Sequence, residues 1–213
     1  MLPREVVQRI QAGETAIADL HGEVSIIFAD LAGFTEMSRK ISPSHLVKVL
    51  NDLFSSFDRD AERLGIERIK TIGDAYMAIG GLSRSADGVD HVEAAALFAL
   101  AIQARVLLLV SEMEYPLQIR VGLHVGPVVA GVIGVTRPAF DCWGESVNLA
   151  SRIEGHATPG TILVSESAYW RLKPLFAMAP QGETELKGIG TTRVFRLVGP
   201  VGDERGGAVP ILA

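Results

Sequence analysis

Sulfur chemistry is almost absent from this sequence: with a single cysteine, Cys142, no internal disulfide can form, and no paired Cys/His spacing of a structural zinc site occurs. A reducing, cytoplasmic setting is the expectation. Positive charge is also scarce. Twenty basic residues face 25 acidic ones, and the net charge of −5 removes any bulk electrostatic case for binding nucleic acid. No export signal is expected, because Arg4, Glu5 and Gln8 stand where a signal peptide needs an apolar core. The most apolar window, 94–110, is broken by Gln103 and Arg105 and is shorter than the roughly 20 apolar residues that span a bilayer. It reads as a buried helix. What is present is a chain of 213 residues, 48% hydrophobic, which suits one large domain with a substantial core and excludes a disordered or fibrous one.

Val6, Ile10, Ile17 and Leu20 recur at heptad-like spacing, so residues 3–20 are expected to form a short helix, either pairing with a second helix or packing on its own domain. From His21 the pattern becomes an apolar strand ending at Asp30. Ser42 and Pro43 then open a helix that Gly65 closes, with Leu46, Val49, Leu50, Leu53, Phe54 and Phe57 on one side. Two short strands, 66–72 and 75–79, flank a Gly73-Asp74 turn. A polar loop leads to a second long helix over 89–111, and strand-like segments follow at 117–124 and 128–133. The order βαββαβ predicts an α+β fold with two helices on one face of an antiparallel sheet, the ferredoxin-like arrangement. A C-terminal αβαββ extension completes it: a helix from Trp143 to Gly155, a strand at 161–164, a helix from Ser165, and strands near Thr184 and Val194. The Gly/Pro-rich tail from Gly199 is expected to be loose.

Several residues stand where chemistry is convenient. Asp30 ends a strand and precedes Leu31-Ala32-Gly33-Phe34-Thr35, a small-residue turn into a helix whose free N–H groups could hold phosphate oxygens. Asp74 sits in a second turn. If the first two strands are neighbours, both carboxylates meet at one end of the sheet, an arrangement that suits Mg²⁺ or Mn²⁺. Either Asp alone could as well cap a turn. Asn148 and Arg152, one helical turn apart, project from one face with Leu149 and Ile153 behind them. Lys187 precedes a Gly-Ile-Gly turn that allows close approach to a ligand, although surface turns often carry a lysine.

Six stretches, in this order, carry a family resemblance: Phe28-Ala29-Asp30-Leu31-Ala32-Gly33-Phe34-Thr35, Ile69-Lys70-Thr71-Ile72-Gly73-Asp74-Ala75-Tyr76-Met77, Arg120-Val121-Gly122-Leu123-His124-Val125-Gly126, Phe140-Asp141-Cys142-Trp143-Gly144, Asn148-Leu149-Ala150-Ser151-Arg152 and Leu186-Lys187-Gly188. Together they resemble the catalytic domain of class III nucleotidyl cyclases, specifically bacterial adenylate cyclases, over residues 21–198. Residues 1–20 resemble the linker helix that precedes this domain, and 199–213 form the tail.

The resemblance implies an enzyme that converts ATP to 3′,5′-cyclic AMP and pyrophosphate with two divalent cations per site, Mg²⁺ or Mn²⁺. It assigns the metals to Asp30, Asp74 and the Leu31 carbonyl, and the β and γ phosphates to Gly33, Phe34, Thr35, Arg120 and Lys187. Lys70 and Asp141 match the adenine-reading pair; similar guanylate enzymes carry Glu and Cys there. A frame shifted by one residue would put Cys142 at the reading position, but Trp143-Gly144 fixes the frame on Asp141. Asn148 would position the ribose and Arg152 would stabilise charge on the transferring phosphoryl group. The family's site is shared between two protomers, and this chain holds both halves, which implies a homodimer. An upstream sensor or membrane region in the full-length protein is also implied. The alternatives are a guanylate or dual-specificity cyclase, and a catalytically silent module that dimerises or senses nucleotide.

Overall fold

Side chains alternate along the first long strand, β1 (Ala18–Ala32), and both faces are buried: Ile27, Ala29 and Leu31 on one side, Val24, Ile26 and Phe28 on the other. A sheet covered on both faces follows. The computed structural model describes residues 4–14, 16–83, 88–111, 117–134 and 136–202. Ahead of β1 lies α1 (Arg4–Gln11), and after it come α2 (Phe34–Ser38), α3 (Pro43–Leu64), β2 (Ile66–Ile72), β3 (Ala75–Gly80), α4 (His91–Ser111) and β4 (Gln118–Ile133). Then follow β5 (Ala139–Trp143), α5 (Glu145–His156), β6 (Ile162–Ser165), α6 (Glu166–Leu172), β7 (Phe176–Leu186) and β8 (Gly190–Pro200).

The strands lie in the order β2-β3-β1-β4-β6-β8-β7, with β5 also paired to β4. The first four strands have the expected ferredoxin-like arrangement, and β1 runs antiparallel to both β3 and β4. On one face α3 and α4 pack side by side with α6; on the other, α5 crosses β4 and β1. α3 has the ends its sequence announces. The Ser42 hydroxyl accepts from the His45 N–H at 3.3 Å, Pro43 opens the first turn, and Gly65 closes the helix at φ 67. Contrary to the length argument from the sequence, α4 is long and apolar enough to cross a membrane by composition, yet just over half of it is buried against the sheet, α3 and α6, as the buried-helix reading expects. Arg105, the break in its apolar pattern, donates to the buried Asp60 of α3 at 3.0 Å. That charge pair ties the two long helices together.

Four expectations are corrected. The helix foreseen over 3–20 stops at Gln11, and Ala18 already belongs to β1. Gly13 adopts φ 89, and the Ile17 carbonyl accepts from the Val132 N–H at 3.0 Å, so the chain turns and joins the sheet. Ile17 and Leu20 therefore form no helical seam with Val6 and Ile10. Second, β4 is unbroken where Gly126-Pro127 suggests an interruption. The β1–β4 register shifts between His21 and Val24, and Pro127, which has no N–H to offer, falls opposite that bulge. Third, β5 is an additional strand in a stretch to which the sequence reading assigns no element. Fourth, Gly199 and Pro200 belong to β8, while residues 203–213 of the expected tail lie outside the described residues. Smaller shifts occur at the ends of α4, β7 and β8.

α5 rests directly on the sheet because Gly122 has no side chain. A Cβ there would stand 2.4 Å from the Glu154 nitrogen and 2.5 Å from the Ala150 carbonyl oxygen, both backbone atoms that cannot move independently of the helix. Gly122→Ala is expected to cost about 2 kcal/mol or more by forcing helix and sheet apart. A denaturation midpoint equal to wild type would contradict this close approach.

Candidate active site

Three strand ends gather the acidic residues. Asp30 lies opposite Ala75 of β3 and Arg120 of β4, and the turn before Ala75 carries Asp74, with Gly73 at φ 64. The convergence expected of Asp30 and Asp74 is present, but by another route: β1 neighbours β3 rather than β2, so the β2–β3 turn brings Asp74 to the end of β1. The two carboxylates feel each other. Burial raises the proton affinity of Asp74, and the charge of Asp30 raises it further. Arg120 forms an ion pair with Asp30. Just beyond, Gly33 stands at the start of α2 with φ 89 and no side-chain cap, followed by Phe34 and Thr35. Asp30, Asp74 and the Leu31 carbonyl offer only oxygen donors. Among the described residues no group of three or more His, Cys, Asp or Glu is placed to hold a metal. Any ion here would draw the rest of its coordination shell from substrate and water.

A carboxylate absent from the sequence reading completes this cluster. Glu154 of α5 places Oε1 3.2 Å from Arg120 Nε, both atoms are buried, and the contact is not aligned as a hydrogen bond. The signal was available: Ser146, Ala150 and Ile153 form the inner stripe of α5, and Glu154 falls one turn beyond Ala150 on that side. Burial pushes its carboxyl up to about 7; the charges of Asp30 and Asp74 add to the rise and Arg120 opposes it. A raised folded-state value means that folding takes up a proton, so this stabilisation is complete below about pH 4.5 and is lost as pH rises through about 7. Thermal stability of the metal-free protein is expected to fall between pH 5 and 7.5, on the order of a few degrees, and Glu154→Gln should flatten that decline. An equally steep decline in the variant would assign it to other groups.

The second set lies on β2, β5 and α5. Lys70 Nζ donates to Asp141 Oδ2 at 2.5 Å, and the Cys142 N–H donates to Asp141 Oδ1 at 2.8 Å. Alternation along β5 separates the two neighbours. Asp141 meets Lys70 at a partly open surface, while Cys142 is buried against Val24, Ile26 and Met77 and burial pushes its thiol up to about 12. Asn148 and Arg152 are exposed on the outer side of α5, which is held down by Ala150 and Ile153. Lys187 occupies the exposed turn between β7 and β8, where Gly188 and Gly190 adopt φ 77 and 100. Within one chain the structure thus unites Asp30, Asp74 and Arg120, and separately Lys70 and Asp141. Asn148, Arg152 and Lys187 make no side-chain hydrogen bond or ion pair among the described residues.

Comparison with known proteins identifies the family. The family described as the adenylate and guanylate cyclase catalytic domain matches residues 17–199. An adenylate cyclase of Mycobacterium tuberculosis is 40% identical over 200 residues, covering 93% of this chain and 45% of the relative. Retinal guanylyl cyclase 2 of Bos taurus is 39% identical over 207 residues, covering 95% of this chain and 19% of the relative. The chain therefore spans less than half the length of these relatives. Among solved structures, the guanylate cyclase domain of RhGC from Catenaria anguillulae in complex with GTP superposes with a TM-score of 0.78 at 32% identity, covering 85% of this chain and 99% of that one. The adenylyl cyclase CyaB from P. aeruginosa gives 0.79 at 26%, covering 84% and 95%. Matched over nearly its whole described length, with the same mixed α+β sheet, this chain belongs to the adenylate and guanylate cyclase catalytic domain family, the class III cyclases.

Proposed function

We propose that this chain is an adenylate cyclase domain that converts ATP to 3′,5′-cyclic AMP and pyrophosphate in a site shared by two copies. The observation that carries the choice of base is the Lys70–Asp141 pair. A lysine donor and a carboxylate acceptor, set 2.5 Å apart on two strands, match the ring N1 acceptor and 6-amino donor of adenine. Guanine presents the reverse polarity at those positions, and a buried mismatch there is costly. Overall similarity does not select the base, since adenylate and guanylate relatives stand at 40% and 39% identity.

Asp30, Asp74 and the Leu31 carbonyl would hold two divalent cations, Mg²⁺ or Mn²⁺. Once bound, the cations lower the pKa of the ribose 3′-hydroxyl and neutralise the triphosphate. The chain's own residues do the rest. Lys70 and Asp141 fix the adenine, and Asn148 orients the ribose so that its 3′-oxygen lies in line with the α-phosphorus. The backbone at Gly33, Phe34 and Thr35, with Arg120 and Lys187, binds the β and γ phosphates. Arg152 stabilises charge that develops as the 3′-oxygen bonds to the α-phosphorus and the bond to pyrophosphate breaks. The 3′-hydroxyl proton leaves to solvent.

Asn148, Arg152 and Lys187 stand exposed and make no side-chain hydrogen bond or ion pair among the described residues, as groups that serve the metal carboxylates of a second copy would. Two copies then form two equivalent sites that take ATP, with no role for nucleic acid. In the full-length protein we place the domain in the cytoplasm, downstream of a sensor or membrane region. The silent-module reading has little support, because every residue the chemistry needs is present. Incubation with ATP and Mn²⁺ at rising protein concentration tests the proposal. Cyclic AMP whose specific activity climbs as protomers pair is the expected result; no cyclic product at any concentration would favour the silent module.

A further inference from the structure

Arg120 faces two carboxylates of different character. Its terminal Nη2 meets Asp30, a partly open residue at a strand end, while Nε faces Glu154, which is tucked beneath it on α5. The Glu154 side chain is 13% exposed, and the close approach of α5 at Gly122 fixes where it stands. The contact with Nε is close enough for a hydrogen bond but misdirected, so each atom is left unsatisfied. A buried carboxylate and a buried guanidinium nitrogen left in that state are unfavourable, and a change that aligns them is favoured.

We propose that Glu154 is a positioning residue for the phosphate site: it anchors the Arg120 guanidinium from behind, so that the terminal nitrogens can leave Asp30 for the polyphosphate without the side chain losing its place. This inference rests on the reading of Asp30 and Arg120 given above. Arg120 occupies Oδ2 of Asp30, so the ion pair and a bound cation compete for this carboxylate. When the terminal nitrogens turn away from Asp30, a small rotation of the guanidinium brings Nε into line with Glu154 Oε1. The exchange thereby replaces a misaligned contact with a charge-assisted hydrogen bond. Without the Glu154 charge, the ion pair with Asp30 is the remaining direct carboxylate contact of Arg120 among the described residues, and the arginine stays where it blocks both the cation and the phosphate.

The test needs no turnover. Binding of Mn²⁺–tripolyphosphate is measured by calorimetry for the wild type, Glu154→Gln, Arg120→Ala and the double variant, alongside ATP kinetics. Glu154→Gln is expected to weaken tripolyphosphate binding about tenfold, the size of one charge-assisted hydrogen bond, and to raise KM more than it lowers kcat. In the Arg120→Ala background the same change should have no further effect, because Glu154 acts through Arg120. Additive losses, or a Glu154→Gln protein within about twofold of wild type, would overturn the inference. If Glu154→Gln fails to fold, Glu154→Asp carries the same cycle: it keeps the charge at shorter reach, and additivity with Arg120→Ala overturns the inference equally. Failure of the wild-type protein itself to bind Mn²⁺–tripolyphosphate would remove the phosphate site, and the proposed function with it.

Discussion

Asp30→Ala and Arg152→Ala are each expected to reduce cyclase turnover on the order of a thousandfold, as the loss of several kcal/mol of charge stabilisation requires, yet a mixture of the two should recover activity. Asp30 belongs to the carboxylate cluster, whereas Arg152 is exposed on the outer side of α5 with no side-chain hydrogen bond or ion pair among the described residues. In a shared site the two come from different copies. A dimer of one Asp30→Ala chain and one Arg152→Ala chain then holds one site with both defects and one with neither. Random pairing at equal amounts yields about one quarter of wild-type activity, since half of the dimers are mixed and each keeps one of two sites. No recovery, with mixed dimers shown to form, would place both residues in a site within one chain. Arg152→Ala should lower kcat far more than it changes ATP binding, because the charge it meets develops only during reaction.

The base preference is expected to move with two residues. Lys70→Glu combined with Asp141→Cys reverses the donor and acceptor set and removes the 2.5 Å ion pair between β2 and β5. The kcat/KM for ATP should fall by about a hundredfold or more, with GTP becoming the better substrate, because a site built to hydrogen-bond one base leaves polar groups unpaired against the other. Retention of the ATP value within about threefold would mean that adenine is read elsewhere. Cys142 is unsuited to the reading role despite its position beside Asp141, since its side chain points into the core.

Local patterns announced much of this fold. The caps of α3, the alternation of β1 and the Gly73-Asp74 turn each depend on residues close in sequence, and all appear where the residues place them. What escaped depends on distant partners. Pro127 looks like a strand break until β1 is set beside it with a bulge, and Leu20 looks helical until Ile17 is seen bonded to β4. At the site, Asp30 and Asp74 were recognisable as turn carboxylates, but β3, not β2, brings them together. Lys70 and Asp141 lie 71 residues apart, and no periodicity links them; the family motif supplied that pairing. Glu154 was visible as a charge on the buried stripe of α5. Its partner could be known only once Gly122 had let the helix down onto β4.

The most direct measurement places equal ATP and GTP in one reaction with the purified domain and Mg²⁺ or Mn²⁺, and quantifies both cyclic products by chromatography. Cyclic AMP exceeding cyclic GMP by about a hundredfold, as differential pairing at Lys70 and Asp141 requires, is the expected result. Cyclic GMP in equal or greater amount would contradict the assignment of this domain to ATP.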